Sequence, residues 1–215
     1  GSSKISTWST AARAANSPAR SDWPMTGRPG PFSRRTPASL LMANVQATIR
    51  TLVHFNLPLS EMTMRVNHLI CENTGNDKFI TFFWGIFDPR TRLFRYVNAG
   101  HNHPFVVRST GSIERLKEGG IILGVMKAAA PYHEGSVQLS SGDVVVMFTD
   151  GISEAMNKEG VDYTEERVEQ FLRNVAPSSA QGILENIQNE ITRYTSGAPQ
   201  SDDITLVVMK CIDTQ

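Results

Sequence analysis

The chain has 215 residues, 40% apolar and 20% charged, with acidic and basic side chains in equal number. That size and balance suit one well-packed globular domain with an extra segment. No apolar run approaches the roughly 20 residues that cross a bilayer and no signal peptide is visible. Cys71 and Cys211 stand alone without metal-ligand spacing, so a membrane protein and a disulfide scaffold are both excluded and a cytoplasmic location is expected.

The neutral total hides an asymmetry. Residues 1–36 carry Lys4, Arg13, Arg20, Arg28, Arg34 and Arg35 against Asp22 alone, a net +5 that leaves −5 on the remainder. An acidic body lacks the basic stripe of a nucleic-acid groove, so no nucleic acid is expected as partner. Residues 1–36 are rich in Ala, Ser, Thr, Arg, Pro and Gly, and show no period of 2 or 3.6. They read as an irregular basic arm. Three origins fit: a native arm, a linker to an upstream sensory domain outside this chain, or sequence unrelated to the domain that follows.

Periodic sequence begins at "TPASLLMANVQATIRTLVHF", where Thr36 suits an N-cap and Pro37 the first helical position. Leu40, Leu41, Val45, Ile49, Leu52 and Val53 form an apolar stripe, and Pro58 ends that helix. A second helix starts at Ser60, with Met62, Val66, Leu69 and Ile70 inward, and "NTGND" (73–77) turns the chain. Strands are predicted in "FITFFWGIF", "LFRYVNAG", "PFVVR", "IERL", "YHEGSVQL" and "DVVVMFTD", with "GGIILGV" as a loop. Helices follow at about 164–175 and 178–194, the second capped by Ser178, and "ITLVVMKC" closes the series as a strand. Helices, then a meander of strands, then helices and one strand imply an α+β class with mainly antiparallel sheets.

Two places put acids at strand tips. Asp150 ends "DVVVMFTD" and precedes Gly151, while Asp202 and Asp203 open the last strand. Carboxylates on rigid strand ends are what oxygen-preferring Mg²⁺ or Mn²⁺ require, and a pair of such ions activates water for attack on phosphorus. The plainer reading is an aspartate in a turn. His101 and His103 have metal-like spacing but no third ligand nearby, so hydrogen-bonding loop histidines are expected. His54, His68 and His133 read as structural or surface groups. Met42, Met62, Met64, Met147 and Met156 read as core filler, and Glu154 as a helix-face residue.

"TPASLLMANVQATIR", "YVNAGHNHPFVV", "ILGV", "GDVVVMFTDGISEAMN" and "SDDITLVV" occur in that order. Together they resemble the bacterial metal-dependent protein serine/threonine phosphatases of the stage II sporulation protein E type. This is the sigma-factor-regulator branch of the type 2C-like superfamily, and the likeness covers about residues 37–210. It implies two packed antiparallel β-sheets flanked by helices, with two Mn²⁺ or Mg²⁺ ions activating water to hydrolyse phosphoserine or phosphothreonine. The substrate implied is a small phosphorylated regulatory protein such as an anti-sigma-factor antagonist. Asp150 and Asp202 match family metal-ligand aspartates, with Asp203 second in rank. Asn98, Gly100, His101 and Gly151 fall in loops of the implied active face.

The resemblance also implies two further metal aspartates before the first long helix, in Gly-Gly-Asp-aromatic and Asp-Val-Ser-Gly-Lys-Gly segments. Neither segment is present, and Asp22 is the only acid in the first 60 residues. The likeness therefore begins in mid-domain, with the strands carrying those ligands missing or altered. The unlike composition of 1–36 fits a junction, such as a shifted reading frame. The DNA upstream of codon 37, read in all three frames, tests that. An incomplete metal site and low activity are expected, and a catalytically weak phosphatase-like binding module is the alternative.

Overall fold

The computed structural model describes residues 6–9, 13–16, 38–74, 78–127, 131–200 and 202–213. The Thr36 cap, Pro37, Asp22 and part of the 73–77 turn lie outside the described residues. In chain order the elements are β1 (Ser6–Ser9), β2 (Arg13–Asn16), α1 (Ala38–Leu52), α2 (Leu59–Thr74), β3 (Lys78–Asp88), β4 (Leu93–Ala99) and β5 (Phe105–Val107). There follow β6 (Ile113–Arg115), β7 (Gly119–Gly120), β8 (Gly135–Gln138), β9 (Val144–Phe148), α3 (Asp150–Ser153), α4 (Glu165–Val175), α5 (Ala180–Thr195) and β10 (Leu206–Lys210).

The strands form two sheets. In the first, β3 pairs with β4, β4 with β7 and β8, and β1 and β2 lie end to end along β3; in the second the order is β10-β9-β5-β6. Every pairing is antiparallel except β4 with β7. The expected α+β sandwich of two mainly antiparallel sheets is therefore the observed architecture.

Strand periodicity explains why the central strands are apolar on both faces. Ile80, Phe82 and Trp84 of β3 pack under α1 and α2 with Leu41, Val45, Met62, Val66 and Ile70. Phe83 points the other way, joining Phe94, Tyr96, Val106, Val145 and Met147 between the sheets. On β9, Val144, Val146 and Phe148 alternate outward to meet Leu172, Ile183 and Ile187 from α4 and α5. The layers thus run helix, sheet, sheet, helix, and β3 and β9 are covered on both faces.

Several details depart from the sequence pattern. Leu40 lies 52% exposed, off the stripe assigned to it, and Met64 and Met156 are likewise exposed. Ser179, not Ser178, caps α5, accepting a hydrogen bond from the Gly182 N–H at 3.1 Å. Eight residues of the supposedly irregular arm form β1 and β2. The "GGIILGV" segment contains β7, too short to show a period, and "DGIS" is a four-residue helix where a turn was expected. His68, read as a structural or surface group, is exposed and sits 3.0 Å from Glu72 one helical turn away. Among the described residues no helix is long and apolar enough to cross a membrane.

Candidate functional site

The tips of β9 and β10 lie side by side because these strands pair in register from Val144↔Lys210 to Phe148↔Leu206. The ladder runs one residue further: the Thr149 N–H donates to the Thr205 carbonyl at 3.0 Å. The returning bond is made by a side chain. The Thr205 N–H donates to Thr149 Oγ1 at 2.9 Å, and that hydroxyl donates to the Asp203 carbonyl at 3.0 Å. Thr149 thereby ties the residue before Asp150 to the Asp202–Thr205 segment.

Gly151 closes the same junction. A Cβ built there would lie 2.6 Å from the Asp203 carbonyl oxygen and 3.2 Å from that of Asp202. Only glycine permits that backbone approach. Asp150 opens α3 and is half-buried, Asp202 is half-buried and Asp203 exposed. Asp202 Oδ1 accepts the Asp203 N–H at 2.8 Å, which shapes the turn. The structure thus brings Asp150, Gly151, Asp202 and Asp203 to one end of the second sheet.

Asn98, the next-to-last residue of β4, and His101, in the β4–β5 connection, border this end. Asn98 is buried, and its amide is used on the backbone. Oδ1 accepts the His101 N–H at 2.8 Å, while Nδ2 donates to the His101 carbonyl at 3.0 Å and the Leu116 carbonyl at 3.3 Å. It holds the loop in shape and has no side-chain atom facing out. Gly100 between them has φ of +73°, and a Cβ there would meet Ile122 Cγ2 at 2.0 Å. His101 is buried, within electrostatic reach of Asp150, and its Nε2 has no hydrogen-bond partner among the described residues. Burial pushes its imidazole below the usual range, against the pull of Asp150 and the Phe148 carbonyl, so the ring is neutral near pH 7. His103 diverges toward Glu165 and Arg115 and is also lowered by burial.

Hard carboxylate oxygens are the right donor chemistry for Mn²⁺ or Mg²⁺. Yet among the described residues no three His, Cys, Asp or Glu side chains gather as a metal-binding group. The described donors do not by themselves fit a two-ion centre. Thr149 is the site residue that the sequence reading missed. No local sequence signal marks it, because its partners lie 54 and 56 positions along the chain.

A two-sheet sandwich between helical layers is the architecture of the type 2C-like phosphatase domains. The family model described as stage II sporulation protein E matches residues 36–212, and the chain belongs to that family. It is 25% identical over 175 residues to the phosphoserine phosphatase RsbU of Bacillus subtilis, covering 81% of this chain and 51% of that protein. It is 26% identical over 151 residues to protein IcfG of Synechocystis, covering 70% of this chain and 24% of that one. The chain thus spans about half or less of the length of these curated relatives. Among solved structures, the phosphatase domain with a fragment of the regulatory domain of the cell-fate determinant SpoIIE from Bacillus subtilis superposes with a TM-score of 0.67 at 16% identity, covering 96% of this chain and 58% of that one. The catalytic domain of the serine/threonine phosphatase PstP, solved with two manganese ions, gives 0.57 at 14%, covering 98% and 100%. These likenesses show the fold.

Proposed function

We propose that this chain carries the phosphatase-type domain of a bacterial signalling protein, and that its reaction is hydrolysis of phosphoserine or phosphothreonine on a small regulatory protein. An anti-sigma-factor antagonist is the kind of substrate meant. The single observation that supports this reading is the Gly151 junction, which sets Asp150 against the Asp202–Asp203 turn within a fold of this family. When bound, Mn²⁺ or Mg²⁺ would supply the activation of water. Asp150 and Asp202 are the residues proposed to contribute carboxylate oxygens, with Asp203 second. The proposed unit of function is residues 37–212, with residues 1–36 as an appended arm and a cytoplasmic location.

A second reading is favoured by one specific observation, the absence of a three-donor group among the described residues. In it the chain docks a phosphoprotein and turns it over slowly or not at all. Mg²⁺ on one or two carboxylates depends on substrate phosphate for the rest of its shell. Calorimetric titration with Mn²⁺, run on the protein and on Asp150→Asn, separates the two readings. Micromolar binding lost in the variant, with Mn²⁺-dependent release of phosphate from a phosphoserine peptide, establishes the hydrolase. Neither binding nor turnover leaves the docking module.

A further inference from the structure

The second sheet ends in an open edge. β10 is its outermost strand, and among the described residues only β9 pairs with it. All five residues of β10 are partly exposed, whereas the five of β9 beside it are buried. The hydrogen bonds already made fix which way its backbone points. Thr205 accepts from the Thr149 N–H and Cys211 donates to the Asp143 carbonyl, so both turn toward β9. Backbone groups alternate in direction along a strand. Val207 and Met209 therefore turn toward β9 as well, and Leu206, Val208 and Lys210 present their N–H and C=O groups outward. Edges of this kind are ordinarily guarded by a lysine, a proline or a bulge. Here the register with β9 is regular and the strand contains no proline. Its one charge is withdrawn from the edge, because Lys210 Nζ is bound to the carbonyls of Ala176, Pro177 and Ser178.

The side chains flanking the edge select what covers it. Ile204 and Ile212, just beyond the two ends of β10, are 41% and 71% exposed. They stand equally far from Val208 in sequence and share the strand face of Leu206 and Val208, which pack toward α4 and α5. We propose that the outer edge of β10 pairs antiparallel with the same edge of a second copy of this chain, about a two-fold axis at Val208. Two four-stranded sheets then become one of eight. In that register Val208 faces its own equivalent, Leu206 faces the stem of Lys210, and each Ile204 faces Ile212 of the other copy. On the opposite face Val207 meets Met209. Each copy covers the other's exposed isoleucines, and the outward backbone groups of Leu206, Val208 and Lys210 all find partners. The unfavourable pair is Asp203 opposite Asp213, both exposed at the rim. Because one edge serves both copies, assembly closes at two.

Sedimentation velocity over a rising concentration series tests this, on the protein and on two double variants. Ile204→Lys with Ile212→Lys sets like charges against each other across the two-fold and is expected to abolish the dimer. Ile204→Lys with Ile212→Glu sets opposite charges there and is expected to restore it. Added salt should tighten the parent dimer about twofold or more, since it screens Asp203 from Asp213. A parent that stays monomeric, species that grow past the dimer, a dimer that salt weakens, or double variants that associate alike overturns the proposal. If a variant does not fold, amide exchange of the parent decides. The amides of Leu206, Val208 and Lys210 should gain protection with concentration, while those of Val207 and Met209, turned to β9, should not. Equal change in the two sets, or none in either, overturns it.

Discussion

Gly151 has no room for a side chain. A Cβ 2.6 Å from the Asp203 carbonyl oxygen forces the 202–205 segment away from α3. Gly151→Ala is expected to cost about 1–3 kcal/mol in urea denaturation, the usual range for overpacking, and to weaken any Mn²⁺ binding by moving Asp202 from Asp150. Thr149→Val conserves shape but removes the hydroxyl that serves both Thr205 and Asp203. It should lose about 1–3 kcal/mol, because the Thr205 N–H is left without its acceptor, and an unchanged denaturation midpoint would contradict this account. Sequence reasoning reached Asp150 and Asp202 through motif order, but not Thr149. Its partners come from residues 54 and 56 positions away, and no local pattern announces them.

At the scale of elements, two charged groups secure one end of the second sheet, opposite the Asp150 tip. Lys210 Nζ donates to the carbonyls of Ala176, Pro177 and Ser178 at 2.7–3.0 Å, closing the C-terminal end of α4 with a cation. Lys210→Met keeps the stem and is expected to lower stability by about 1–2 kcal/mol, read as a shift in denaturant midpoint. Asp143, just before β9, is almost fully buried. Burial pushes its carboxyl up, but N–H donors from Ser140 and Ser109 and the Arg108 guanidinium together hold it below the usual range. A carboxyl depressed by folding stabilises fully above its unfolded value of about 3.9 and loses that contribution as pH falls through the folded value. The urea midpoint of the protein should therefore drop in acid below about pH 4. Asp143→Asn should start lower at neutral pH and lose less. The long elements were legible in sequence because both faces of β3 and β9 are buried and the helices carry apolar stripes. β7 and α3 were not, since two and four residues cannot display a period. The α5 cap missed by one position because Ser178 and Ser179 are chemically equivalent until the chain has folded.

At the scale of the whole molecule, the α+β class followed from the order of helices and strands and the two-sheet sandwich from the family resemblance, while the treatment of one edge followed from neither. Of the eleven residues of β3, Trp84–Phe87 are covered by β1 and Lys78–Thr81 by β2. Composition gave little sign of these strands, because Thr7 and Trp8 are the only strand formers in Ser-Thr-Trp-Ser and Arg-Ala-Ala-Asn, and four-residue runs are too short to show a period. An uncovered strand edge recruits other chains. Removing residues 1–17 is expected to bring the onset of aggregation on heating to lower temperature, measured by light scattering. An unchanged onset would show that β1 and β2 do not guard this edge.

The pairing of β9 with β10 has a consequence for synthesis. Asp150 leaves the ribosome roughly fifty residues ahead of the Asp202–Thr205 segment that packs against it, an interval of about 3–10 s at ordinary elongation rates. During it the β5–β9 half of the second sheet and helices α3 to α5 can be in place, while the tip of β9 still lacks its neighbour. A nascent chain in this interval holds its first carboxylate alone. Any phosphoprotein chemistry that depends on the pair can begin only when the final strand has been translated and has docked.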